Sequence, residues 1–153
     1  TGNNFNNFTS PTSHDSSMMV TISLELPSKL SPNFDSFVYP SVFSFEDGVQ
    51  VIDNTNATST LFQFKVDASG NITAWAVAAS IDPEFRAIHS LKHFSDSDAG
   101  EDYGGIQQGE WGVIYDTPGA WTVVPIPAAL YLFVSGLLCI ISISRKRGTK
   151  LII

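Results

Sequence analysis

Phe62-Gln63-Phe64-Lys65-Val66-Asp67-Ala68-Ser69-Gly70-Asn71-Ile72-Thr73-Ala74-Trp75 decides the fold class of this 153-residue chain. Phe62, Phe64 and Val66 alternate with Gln63 and Lys65, the period of a strand with one face buried and one solvated. Asp67 to Asn71 supplies turn residues, and Ile72 to Ala79 returns as the second strand of a hairpin. Trp75, on the return strand, reads as a core anchor because its ring buries a large apolar area. Working outward, Glu46-Asp47-Gly48 stands between the aromatic run Phe37–Phe45 and Val49-Gln50-Val51-Ile52. Asp-Gly between two such runs predicts a second hairpin, since glycine takes positive φ at little cost. Pro40 favours an edge or a bend within the aromatic run. Val20 to Leu26 alternates strictly and predicts a half-buried strand, with Pro27 and Pro32 marking the loop behind it.

Trp111–Tyr115 and Trp121–Val124 read as last strands on either side of the Thr117-Pro118-Gly119 turn. Between them and the second hairpin, Asp82–Gly109 is charged and glycine-rich. It predicts a long loop holding at most a short strand or helix near Phe85–Leu91. Residues 1–17 are mostly Asn, Thr, Ser and Gly and read as a flexible lead-in. The expected architecture is all-β: a small antiparallel sandwich of six to eight strands over residues 18–122, then one C-terminal transmembrane helix.

That helix rests on Val124 to Ser144, 21 uncharged and mostly apolar residues closed by Arg145-Lys146-Arg147. As a helix this run spans about 31 Å, the thickness of a bilayer's hydrocarbon core. Leu130, Leu132, Phe133, Val134, Leu137, Leu138, Ile140, Ile141 and Ile143 together contribute roughly −3 to −5 kcal/mol to insertion. Ala128, Ser135, Cys139 and Ser142 recur near one face, where small residues let another helix approach. The charge is split to match. All 15 acidic residues and only Lys29, Lys65, Arg86 and Lys92 precede Ser144, giving −11, whereas four basic residues follow, giving +4. The positive-inside bias keeps the tail, including residues 148–153, cytoplasmic and the acidic part exported. So negative a region is a poor partner for nucleic acid. Cys139, the single cysteine, lies inside the apolar run, so the exported part has no disulfide, thiolate metal site or thiol nucleophile. The chain opens Thr1-Gly2-Asn3-Asn4 with neither a basic nor an apolar leader region, so export implies a signal peptide already removed.

Val124-Pro125-Ile126-Pro127-Ala128-Ala129, then the apolar run with Ser135-Gly136-Leu137-Leu138-Cys139, then Arg145-Lys146-Arg147, are three parts in fixed order over residues 123–147. This arrangement resembles the PEP-CTERM type of sorting signal on exported proteins of Gram-negative bacteria, in the variant with a Val-Pro-Leu-Pro-Ala motif. Ile126 stands where the best-known motif has Glu, which points to a sorting enzyme of matching specificity; Cys139 replaces the usual Gly. The resemblance implies recognition by an exosortase-type membrane protease or transpeptidase and cleavage near the prolines. It also implies a passage from the inner membrane to the cell surface or extracellular matrix, with association to exopolysaccharide, biofilm or floc. Phe43–Gln50 and Asp67–Trp75 are similar to segments of short exosortase-substrate proteins, which carry no catalytic residues to transfer. Pro125 and Pro127 hold Val124 and Ile126 in extended conformations, as a protease site requires. The alternative is a permanently anchored adhesion module that binds carbohydrate or calcium.

No constellation for catalysis emerges, and no cofactor is expected. His89 and His93 are four apart, but neither a helix nor a third ligand accompanies them, and His14 lies in the lead-in. Asp96-x-Asp98-x-Gly100-x-Asp102 places oxygen ligands at alternate positions, as calcium loops do. The glycine is at the fifth position and the twelfth residue is Gln107, so an EF-hand is rejected and only an irregular calcium site stays open. Acidic residues are too abundant for any pair to signal a glycosidase, and no serine stands in a nucleophile-elbow pattern. A sugar-stacking platform would rest on Trp111 and Tyr115; Trp121, just before the span, reads as an interfacial residue.

Overall fold

The computed structural model describes residues 1–9, 13–82, 86–92, 100–106, 109–122 and 124, and of Ile106 the backbone alone. The expected sorting motif from Pro125 onward, the expected membrane run and basic stop, His93, Asp96 and Asp98 lie outside the described residues. Two units are recognised, Thr1–Trp121 and Thr122–Ile153, and the first carries the β-domain.

Ten strands run through the described residues: β1 (Asn7–Phe8), β2 (Thr21–Glu25), β3 (Asp35–Phe37), β4 (Val42–Glu46), β5 (Val51–Asp53), β6 (Ser59–Val66), β7 (Ile72–Ile81), β8 (Arg86–Lys92), β9 (Glu101–Ile106) and β10 (Glu110–Tyr115). They form a seven-stranded sheet, β1-β10-β9-β8-β7-β6-β3, and a three-stranded sheet, β2-β4-β5. Every strand pair is antiparallel. Among the described residues there is no helix, hence none long and apolar enough to cross a membrane.

Both expected hairpins form. β6 and β7 pair from Ser59↔Ser80 to Val66↔Ile72, and β4 and β5 pair Phe45 with Ile52 and Glu46 with Val51. Gly48 and Gly70 sit in the two turns at φ 92° and 88°, conformations that cost a side-chain-bearing residue strain. The alternation then dictates the core. Phe43, Phe45 and Ile52 from the small sheet meet Phe62, Phe64, Trp75, Val77, Ala79 and Ile88 from the large one. Phe43 and Phe45 stand 5.2 and 5.9 Å from the Phe62 ring, which stitches the layers together.

Three strands cannot cover seven. The shortfall is met by the two ends of the domain, and there the structure departs from the sequence expectation. Residues 1–9 and 13–20 are not a flexible lead-in: they pack into the core or join the large sheet. Phe5 is 1% exposed and belongs to the core together with Val20. Gly2 donates to the Val20 carbonyl at 2.7 Å, Phe5 to that of Met18 at 2.9 Å, and β1 extends the large sheet beside β10. At the other end Trp121 belongs to no strand. Its ring packs edge-on against Phe64 at 5.2 Å and Trp75 at 6.1 Å.

Two further differences have local causes. The aromatic run Phe37–Phe45 is split around Pro40: β3 joins the large sheet and β4 the small one, because proline has no N–H to continue a ladder. Within Asp82–Gly109, β8 stands where a short strand or helix was expected near Phe85–Leu91, and β9 replaces part of the expected loop. Their inward positions include Ser90, Asp102 and Gly104, so the apolar alternation that marks a strand is absent there.

Candidate functional site

Four of the aspartates serve as turn builders. Asp15, Asp47, Asp53 and Asp67 each accept, through Oδ1, the backbone N–H two residues on, from Ser17, Val49, Thr55 and Ser69, at 2.7–2.9 Å. The Ser17 and Thr55 hydroxyls, and for Asp67 the Asn71 amide, hold three of these carboxyls below the usual range. Ordinary Asx-turn geometry thus absorbs charges that could otherwise suggest an acidic active site.

Two carboxylates are different, because they are fully buried. Asp47, in the β4–β5 turn, receives Gln50 N–H at 2.8 Å and Gln50 Nε2 at 3.0 Å, and His14 Nε2 donates to its Oδ2 at 3.1 Å. Gln50 also reaches the Gly105 carbonyl of β9 at 3.2 Å. Gly104 makes this approach possible: a Cβ there would collide with the Asp47 carboxylate and its Cβ. The pair therefore rivets the small sheet, the N-terminal segment and the large sheet at one point.

Asp102 faces inward from β9, opposite Ser90 of β8. Trp75 Nε1 donates to the Ser90 hydroxyl at 2.7 Å, and the Gly119 N–H donates to Asp102 Oδ2 at 3.0 Å. Asp102 Oδ1 is buried and makes no hydrogen bond. Beside it lies a cavity of about 20 Å³ lined by Gly2, Val20, Trp75, Ser90 and Trp121, among others, room for about one water. Burial pushes the Asp102 carboxyl up, against the smaller opposing pulls of the Ser90 hydroxyl, the Gly119 amide and the terminal ammonium. The ionised form is the one penalised. Below the ordinary carboxylate value the group is protonated in both folded and unfolded chains and the penalty vanishes. Stability is lost as pH rises from that value through the raised native one. Asp102→Asn, which keeps an oxygen for Gly119, should therefore raise the melting temperature at pH 7. About 1 kcal/mol, or roughly 3–5 °C, is expected in a thermal scan, with no gain at pH 3. A lower melting temperature at pH 7 would show that the carboxylate is favourably held.

On the outward face of the large sheet, His89 stacks on Tyr103 with ring centroids 5.0 Å apart, and its Nε2 stands 2.7 Å from Glu101 Oε1. The hydrogen bond to His89 draws the Glu101 carboxyl down, and burial raises the Tyr103 phenol. Tyr115, 50% exposed, lies across from Glu101, and Trp111 lies four pairs further along β10, on the same face. The proposed sugar-stacking residues thus share a face with a histidine–tyrosine stack that carried no signal in the sequence. Among the described residues no three His, Cys, Asp or Glu groups converge on a metal position. The proposed calcium ligand Asp102 is in a strand and turned into the core, away from any loop site.

The C-terminal end of the β-domain is closed by its own bonds. Asp116 N–H meets the Gly100 carbonyl at 2.9 Å, Asn3 Nδ2 meets that of Thr117 at 2.7 Å, and Ala120 N–H meets that of Thr1 at 3.1 Å. Of the residues expected to form a sorting motif, Val124 alone is described; it is 81% exposed. Searches against protein-family models, curated proteins and solved structures find no match for this chain.

Proposed function

We propose that this chain is an exported, non-enzymatic β-domain delivered by a C-terminal sorting signal that an exosortase-type membrane protease or transpeptidase reads. One observation carries the reading: a proline motif at residues 124–129, an uncharged run to Ser144 and an Arg-Lys-Arg stop follow one another without interruption. The β-domain is compatible with it. Its last core residue, Trp121, precedes Val124 by three positions, so the fold is complete before the motif begins. Leu130 to Ser144 acts as a transient anchor, and Arg145, Lys146 and Arg147 set the orientation. The product belongs at the cell surface or in the extracellular matrix, associated with exopolysaccharide.

An intact mass of the protein recovered from the cell surface or medium tests this. The expected mass lacks the apolar run and basic tail and ends near residues 124–129, with any added mass identifying an attached group. A full-length mass confined to the membrane fraction would overturn it. Replacing Pro125 and Pro127 together by Ala should abolish the shortened form while the unfolding free energy of the β-domain changes by less than about 0.5 kcal/mol.

The second reading, a membrane-retained carbohydrate-binding module, is favoured by Trp111, Tyr115 and the His89–Tyr103 stack on one sheet face. Persistent full-length protein that binds neutral polysaccharide would establish it.

A further inference from the structure

We propose that Trp121 is a positioning residue for C-terminal processing: docked in the β-domain, it withholds the chain next to the proline motif from the sorting protease until residues 119–121 undock. The proposal rests on the sorting reading given above and adds a regulation to it.

The argument starts from the backbone. An enzyme that reads an extended peptide pairs with its main-chain N–H and C=O groups. Just before the motif those groups are already in use. Gly119 N–H is bound to Asp102 Oδ2 at 3.0 Å, and Ala120 N–H to the Thr1 carbonyl at 3.1 Å. The Ala120 carbonyl accepts from the Thr1 nitrogen at 3.1 Å. Trp121 adds a side-chain lock, its half-buried ring set edge-on between Phe64 and Trp75.

Chain length makes the lock consequential. From Trp121 to Pro125 there are four residue steps, at most about 14 Å of extended chain. A substrate groove that holds four residues ahead of the Val124–Pro125 bond takes in Trp121 itself, and one that holds four ahead of the Pro125–Ile126 bond begins at its neighbour Thr122. While Trp121 is docked the competent conformation is a minority, and the apparent reaction rate falls by its fractional population. Terminal segments open at a small fraction of the global unfolding free energy, so the barrier delays processing without preventing it.

The test follows the conversion of pulse-labelled, full-length chain to the shortened form in cells that process it. A six-residue Gly/Ser spacer between Thr122 and Val123 leaves the dock intact and moves the motif away. Conversion of the spacer variant should be about tenfold faster. Trp121→Ala should accelerate it likewise, and Trp121→Phe, which keeps a ring against Phe64 and Trp75, should return the rate toward that of the parent chain. Limited proteolysis of the spacer variant checks that its β-domain is as resistant as the parent's. Equal rates for parent and spacer variant would overturn the proposal and leave the sorting reading standing. No conversion in any variant would overturn the sorting reading and the proposal with it.

Discussion

Replacing Asp47 by alanine should lower the stability of the β-domain by about 3–5 kcal/mol, the cost of breaking a buried, multiply bonded polar group from one side. Four donors converge on this one carboxylate: the backbone N–H groups of Val49 and Gln50, the Gln50 amide and His14 Nε2. Asp47 is 0% exposed, so no solvent replaces the lost acceptor, and each stranded donor carries a desolvation cost of about 1–3 kcal/mol. Alanine also leaves a hole where the small sheet, the N-terminal segment and β9 meet. Asp47→Asn should cost less than alanine, because one oxygen still accepts from the Val49 and Gln50 N–H groups, although its NH2 then faces the His14 Nε2 and Gln50 Nε2 donors. Urea unfolding followed by tryptophan fluorescence reads both variants. A loss below 0.5 kcal/mol for the alanine variant would mean that the small sheet is held by apolar contacts alone.

How much of this was legible in the sequence depends on whether a residue's surroundings are local. The β6–β7 hairpin was legible because Phe62, Phe64 and Val66 alternate and because Asp67 to Asn71 must turn. The β4–β5 hairpin followed in the same way from Asp47-Gly48. β8 was legible only as a short element near Phe85–Leu91, and β9 was not legible. β9 turns Asp102 and Gly104 inward and so has no apolar period, and its burial comes from elements far along the chain. For the same reason a core carboxylate such as Asp102 and an exposed one such as Asp53 look alike in sequence. The first is distinguished only by Trp75, Ser90 and Gly119, which folding brings to it. The proposed sorting signal is the opposite case. Its information would be linear, a proline motif followed by length, hydropathy and charge, so it is proposed from the sequence without reference to the β-fold.

Phe5→Ala should destabilise the β-domain by about 3–5 kcal/mol, and this result separates two accounts of the first seventeen residues. If they formed a solvated lead-in, truncating one phenylalanine would change stability by no more than about 0.5 kcal/mol. In the structure Phe5 is among the largest fully buried side chains and meets His14 edge-on at 5.6 Å. Its loss would open a cavity beneath the large sheet where the three-stranded sheet does not reach. Phe8 supplies the control, since it is three residues away in the same polar stretch and 40% exposed. Phe8→Ala should cost under about 1 kcal/mol, so the comparison holds composition and chain position nearly constant while varying burial. Equal small losses for the two variants would return residues 1–17 to the role of a tether. A large loss confined to Phe5 means that the second layer of the sandwich needs the N-terminal segment. Any shortened form of the domain must then retain it to fold.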